Sequence, residues 1–162
     1  MRVGVLTVSD ACSRGEREDA SGQLMEAWCR ERGYELVARA VVPDQSEVIV
    51  PTLLRWVDGG NLDLVLTTGG TGFGPRDVTP EATKAVLDRP SLGISEAIRR
   101  RGEEKTPYSP LSRGVAGTRG RVFIANLPGS PGGVRDGLDV LGPWAEHLVG
   151  LLRVQDTPHR QS

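Results

Sequence analysis

The chain has 162 residues, a formal net charge of -1, 38% hydrophobic and 25% charged residues, and two cysteines. That length suits one domain with a sizeable core. The near-neutral balance excludes the basic surface of a nucleic-acid binder, no apolar run approaches a membrane span, and two cysteines exclude a Cys₄ or Cys₂His₂ zinc site.

The first residues lack the layout of a signal peptide, and Cys12 and Cys29 read as free thiols, so the expected location is cytoplasmic. Val3 to Val8 reads as a strand apolar enough for a sheet covered on both faces. It runs into Ser9-Asp10 and a polar segment ending at Asp19. A helix is predicted over Ser21 to Arg32, with Leu24, Met25, Trp28 and Cys29 on one face and Gly33 closing it. Tyr34 to Val42 reads as a second strand that ends at Pro43-Asp44-Gln45. A helix over Ser46 to Val57 follows, with Ser46 as its cap and Ile49, Leu53, Trp56 and Val57 as its buried stripe. Asp63 to Thr68 is a short apolar strand closed by turn residues.

Beyond that strand lie Gly69-Gly70-Thr71-Gly72 and then Pro75-Arg76-Asp77-Val78-Thr79-Pro80-Glu81. Thr79 reads as the cap of a helix over Pro80 to Leu87. A further helix is expected over Ser91 to Arg101, and Glu103 to Pro110 reads as loop. Gly114 to Gly120 leads to a strand over Arg121 to Asn126. A second glycine-rich turn, Leu127-Pro128-Gly129-Ser130-Pro131-Gly132-Gly133, opens a helix over Val134 to Leu141, and Pro143 to Leu152 is the last helix. Residues 1–154 read as one domain, followed by a polar, frayed tail over 155–162. Strands alternating with helices predict an α/β fold: a mainly parallel sheet with helices on both faces.

If the sheet is parallel, Ser9-Asp10, Pro43-Asp44, Gly69–Asp77 and Asn126–Ser130 all open on one edge, where such sheets bind ligands. Turns rich in glycine offer backbone N–H groups to oxyanions. The loop is neither a P-loop nor a dinucleotide fingerprint, because no Lys-Ser/Thr pair follows the glycines and GxGxxG is absent. Asp44 and Asp77 would repel a phosphate unless a divalent cation stood between them, and Mg²⁺ takes one or two carboxylates together with phosphate oxygens. A plain turn or cap role accounts equally well for either aspartate on sequence grounds. His147, in a helix with Trp144, Leu148 and Leu151, reads as a surface or packing residue, no GxSxG occurs, and Cys12 has no evident His partner.

Thr68-Gly69-Gly70-Thr71-Gly72, Pro75 to Thr83, Leu111-Ser112-Arg113 and Asn126-Leu127-Pro128-Gly129-Ser130-Pro131 closely resemble the MogA/MoaB family, to which the gephyrin G domain belongs. The likeness spans residues 3–152. It implies a three-layer α/β/α sandwich and a homotrimer, hexameric in some MoaB-like members. It also implies Mg²⁺-dependent transfer of AMP from ATP to the terminal phosphate of molybdopterin, with release of pyrophosphate. The product would pass to a downstream molybdenum insertion protein. On this resemblance Asp44 and Asp77 match the functional, Mg²⁺-holding aspartates. Gly69, Gly70, Thr71 and Gly72 match the phosphate cradle, and Ser9, Asp10, Ser112, Asn126, Pro128, Gly129 and Ser130 match ligand-contacting segments. The likeness also leaves room for a non-catalytic MoaB-like molybdopterin binder and for a trimeric interaction scaffold.

Overall fold

The molecule is described by a computed structural model over residues 1–154; the predicted tail lies outside the described residues. Six strands form one sheet in the order β2-β1-β3-β6-β5-β4. β1 (Arg2–Val8), β2 (Glu35–Val42), β3 (Leu64–Thr68) and β6 (Val122–Leu127) are parallel. β5 (Ala116–Arg119) and the two-residue β4 (Arg89–Pro90) add an antiparallel margin.

Alternation along β1 builds two cores. Val3 and Val5 face Met25 and Cys29 of α2 (Ala20–Glu31), and the same side holds Ile98 of α5 (Leu92–Glu103), Val134 and Leu138 of α6 (Pro131–Leu141), and Leu152 of α7 (Ala145–Arg153). Leu6 and Val8 face the other way, onto Ile49, Leu53 and Val57 of α3 (Ser46–Asp58) and Ala82 and Val86 of α4 (Thr79–Val86). The architecture is therefore the three-layer α/β/α sandwich that the patterning and the family resemblance imply. No helix among the described residues is long and apolar enough to cross a membrane.

Several local expectations are corrected. The polar stretch after β1 contains a one-turn helix, α1 (Asp10–Ser13), capped by Ser9, whose Oγ accepts from Cys12 N at 3.2 Å. Gln45, not Ser46, occupies the cap position of α3, and no side chain caps it. Thr79 is the first residue of α4 rather than its cap; its N–H is taken by the Gly70 carbonyl at 3.1 Å, which fixes the helix start against the glycine loop. The stretch 114–120 is not a plain lead-in but contains β5, which returns on β6 through Gly120, at φ +54°.

Candidate active site

The chain leaves β1 toward β2 on one side and returns through α3 to β3 on the other. Strand order thus reverses between β1 and β3, and the loops at their carboxyl ends part to leave a crevice. A cavity of about 520 Å³ opens there, lined by Ser9 after β1, Asp44 after β2, Gly69, Gly70 and Asp77 after β3, and Gly129 and Ser130 after β6. The N-terminal turns of α2 and α6 also reach its wall, through Ser21 and Pro131. Helix starts present N–H groups and a positive dipole end to an anion; here Asp19 caps Gly22 N and Ser130 caps Gly133 N, and Glu18 and Asp19 stand beside them on the same wall.

The glycine loop is held in a shape that only glycine permits. Gly69 has φ +92°, and a side chain there would be driven into the Val8 carbonyl. Gly70 has φ +64°, and a β-carbon would strike Thr79 Oγ1 and lie 2.9 Å from Asp44 Oδ1. Arg113 staples the loop from outside: its N–H donates to Thr71 O at 2.7 Å, its Nε to Gly72 O at 2.7 Å, and its Nη2 to Asp77 O at 2.8 Å. The same guanidinium pairs with Glu81 and lies 5.4 Å from the Phe73 ring centroid. The second turn is anchored through its carbonyls, with Thr68 Oγ1 donating to Pro128 O at 2.7 Å and Ser21 Oγ to Gly129 O at 2.8 Å.

Asp10 and Asp44 lock their two turns together. Asp10 N donates to Asp44 Oδ2 at 2.8 Å, and Asp44 N donates to Asp10 Oδ1 at 3.0 Å. Arg76 grips Asp10 with two nitrogens, at 2.9 and 3.0 Å, and this guanidinium holds the Asp10 carboxyl below its ordinary range. Asp44 is the opposite case. Burial pushes its carboxyl up, and the nearby negative charges of Asp10 and Asp77 add to that despite the Asp10 N–H. Asp77 accepts from Gly74 N at 2.8 Å through Oδ2, closing the turn that sequence alone allowed, while also lining the cavity beside Asp44.

The other expected residues divide. Ser112, Pro128 and Ser130 line a second cavity of about 320 Å³, walled by Ile98, Tyr108 and the Lys105–Asp136 pair, and Ser130 borders both spaces. Thr71 and Gly72 spend their carbonyls on Arg113. Asn126 is buried away from the ligand space: its amide donates to Thr67 and Thr83 hydroxyls, both at 2.9 Å, and its Oδ1 accepts from Val115 N. It ties β3, α4 and β5 together. Among residues the motifs did not single out, Asp19 accepts from Thr7 Oγ1 and Gly22 N and pairs with Arg39, and Arg17 reaches Ser9 Oγ at 3.1 Å. Asp19 was legible as a polar residue just before a helix. Arg113 carried no signal beyond its place in the Leu-Ser-Arg motif. Cys12 lines the cavity as a free thiol, and Cys29 is buried, its thiol pushed up to about 11 by burial and by Glu26.

A doubly wound sheet with a crevice at its switch point, lined by glycine turns, two helix starts and several carboxylates, Asp44 and Asp77 among them, defines an α/β protein with a ligand-binding crevice. Residues 4–147 match the family described as "Probable molybdopterin binding domain", and the chain belongs to that family. It is 37% identical to molybdopterin adenylyltransferase of Helicobacter pylori, over 94% of this chain and 88% of that one. Its fold is similar to the crystal structure of the molybdopterin biosynthesis enzyme MoaB from Thermus thermophilus, with a TM-score of 0.87 and 48% identity over 93% of this chain and 95% of that one. It is also 40% identical, over 91% of its length, to the molybdenum cofactor synthesis protein cinnamon of Drosophila melanogaster, of which it spans only 25%. The family resemblance read from the sequence is thereby confirmed.

Proposed function

We propose that this protein is an enzyme of molybdenum cofactor biosynthesis that transfers AMP from ATP to the terminal phosphate of molybdopterin. The observation that carries the reading is the opening of Asp44 and Asp77 onto one cavity whose wall is built from two glycine turns and two helix starts. Relatives named molybdopterin adenylyltransferase, at 37% and 39% identity over most of this chain, support it.

Both reactants are anions, so the work is to position them and offset charge. An oxygen of the molybdopterin phosphate forms a bond to the α-phosphorus of ATP, and the α–β anhydride bond breaks to release pyrophosphate. Gly69, Gly70 and the starts of α2 and α6 would hold the phosphates, and no protein nucleophile is needed. Ser112, Pro128 and Ser130 place a second compartment next to the first, which fits two substrates meeting at a shared border. Asp44 and Asp77 would hold Mg²⁺. The donor set suits it: two carboxylates opening onto one cavity, with phosphate oxygens and water to complete the coordination, and a buried Thr79 hydroxyl left without a partner close by. When bound, the ion supplies neutralisation of the phosphate charge.

The reading includes a homotrimer, supported by the outward-facing Leu36, Val37 and Val41 on edge strand β2. It includes a cytoplasmic setting, with which two free thiols agree, and delivery of the product to a molybdenum insertion protein. The test is pyrophosphate release from ATP in the presence of molybdopterin, with and without Mg²⁺. Asp77→Asn should keep molybdopterin binding and lose AMP transfer. Unchanged turnover in that variant, or turnover without Mg²⁺, refutes the assignment.

A further inference from the structure

Among the described residues, one buried side-chain oxygen has no hydrogen-bond partner: Thr79 Oγ1. The residue is 0% exposed. Leaving a hydroxyl buried and unpaired is costly, and native proteins rarely keep such groups without a use.

Its surroundings indicate the use. The backbone of Thr79 is fixed at both ends: its N–H donates to Gly70 O at 3.1 Å, and its carbonyl accepts from Thr83 Oγ1 at 2.8 Å. Thr83 is itself held by Asn126 Nδ2 at 2.9 Å. The hydroxyl therefore points where this frame puts it, onto the face of Gly70 from which a side chain would have grown. Asp44 Oδ1 approaches that same face, 2.9 Å from the vacant β-carbon position. Asp44 Oδ2 is already occupied by Asp10 N, whereas among the described residues no group donates to Oδ1. Among the described residues, a buried donor lacking an acceptor and a carboxylate oxygen lacking a donor thus converge on one glycine. Asp44 also lines the ligand cavity, so the carboxylate can face the cavity and the hydroxyl at once.

We propose that Thr79 is a positioning residue for Asp44: its hydroxyl donates to Asp44 Oδ1 in the ligand-bound site and orients that carboxylate toward the cation and phosphates. Carboxylates that hold a metal are themselves held by hydrogen bonds, and loss of such a partner typically lowers metal affinity about 10–100-fold. The absence of a side chain at Gly70 keeps the line between the two oxygens open. This inference rests on the cation reading of Asp44 given above and adds to it a residue that does not itself line the cavity.

The test uses the full chain with manganese(II) as the probe. Free Mn²⁺ is followed by electron paramagnetic resonance during titration in the presence of ATP, for the wild type, Thr79→Val and Thr79→Ser. Thermal unfolding without any divalent cation is measured alongside. Thr79→Val keeps the shape and removes the hydroxyl. Its Mn²⁺ affinity should fall about tenfold or more, and Thr79→Ser should restore it. In the absence of cation, Thr79→Val should be at least as stable as the wild type, because an unpaired buried group has been removed. A residue serving only the fold would give the reverse pattern. Wild-type Mn²⁺ affinity in Thr79→Val overturns the proposal while leaving Asp44 and Asp77 as cation ligands. A loss of cation-free stability in Thr79→Val that Thr79→Ser repairs also overturns it. A wild type that binds no Mn²⁺ overturns the cation reading and this proposal together.

Discussion

Replacing Arg113 by alanine should open the glycine loop without unfolding the domain. The guanidinium donates to two loop carbonyls, Gly72 O at 2.7 Å and Asp77 O at 2.8 Å, and its side chain is 26% exposed. A hydrogen bond from a charged donor contributes about 1.5–3 kcal/mol when shielded, and water near this surface reduces each to about 1 kcal/mol. The Glu81 pair is half in solvent and adds at most a fraction of that. The Phe73 contact is worth about 0.5–1 kcal/mol. The total is about 2.5–3.5 kcal/mol, and at about 1.4 kcal/mol per factor of ten it corresponds to local opening roughly 60–300-fold more often. Hydrogen–deuterium exchange read by mass spectrometry on peptides covering residues 70–79 should report that acceleration. Peptides from β1 and β3 should hardly change. Arg113→Lys keeps the charge beside Glu81 but loses the fork, and should recover only part of the protection. Wild-type exchange in Arg113→Ala would mean that the loop's own bonds, Thr79 N to Gly70 O and Gly74 N to Asp77 Oδ2, hold it unaided.

Asp44→Asn should raise thermal stability at neutral pH in cation-free buffer while cutting AMP transfer on the order of 100-fold, the scale of losing one well-placed electrostatic contact. The sign follows from the upward shift of Asp44 in the fold: its protonated form is favoured there, so the stability it contributes is full below its unfolded value and is lost as pH rises through the folded one. The variant's advantage should accordingly shrink below about pH 4, the ordinary range of a carboxylate; a variant less stable than wild type at pH 7 contradicts the burial and charge argument. Gly69→Ala should destabilise the domain by about 3 kcal/mol or more, combining an unfavourable φ with a side chain pressed against backbone. Urea unfolding measures it, and a loss under about 1 kcal/mol would show that the β1 and β3 ends can part without cost.

The parts of this molecule that repeat were legible in its sequence. Apolar strands followed by amphipathic helices gave the parallel sheet and both helical layers, because burial on two faces leaves a run such as Leu64–Thr68 no polar alternation to confuse it. β5 leaves no strand signal in the sequence because Ala116-Gly117-Thr118-Arg119 has little strand preference of its own; its pairing with β6 makes it a strand. The start of α4 lies one residue before the position the sequence pattern predicts for a similar reason, since the partner of Thr79 N is a carbonyl nine positions earlier. In the site, glycines and aspartates announced themselves by type and by their place after strands. The staple at Arg113 and the reciprocal Asp10–Asp44 pairing did not, because an arginine or an aspartate in a loop has many surface uses and only the fold selects one. Asn126 shows the converse: its motif marks it as ligand-facing, yet its amide is fully engaged inside.

The place of β6 in the sheet bears on which pieces of the chain can hold a site. Its residues are separated from β3 in sequence by α4, β4, α5 and β5, yet it lies between β3 and β5, and the turn that follows it supplies Gly129 and Ser130 to the cavity. Without it β3 presents an open edge to whatever is nearby, and no fragment ending before Pro131 holds both walls of the crevice. A chain cut anywhere between β3 and the start of α6 therefore has a sheet but no completed crevice, and the site depends on a strand that is inserted beside β3 from far along the sequence.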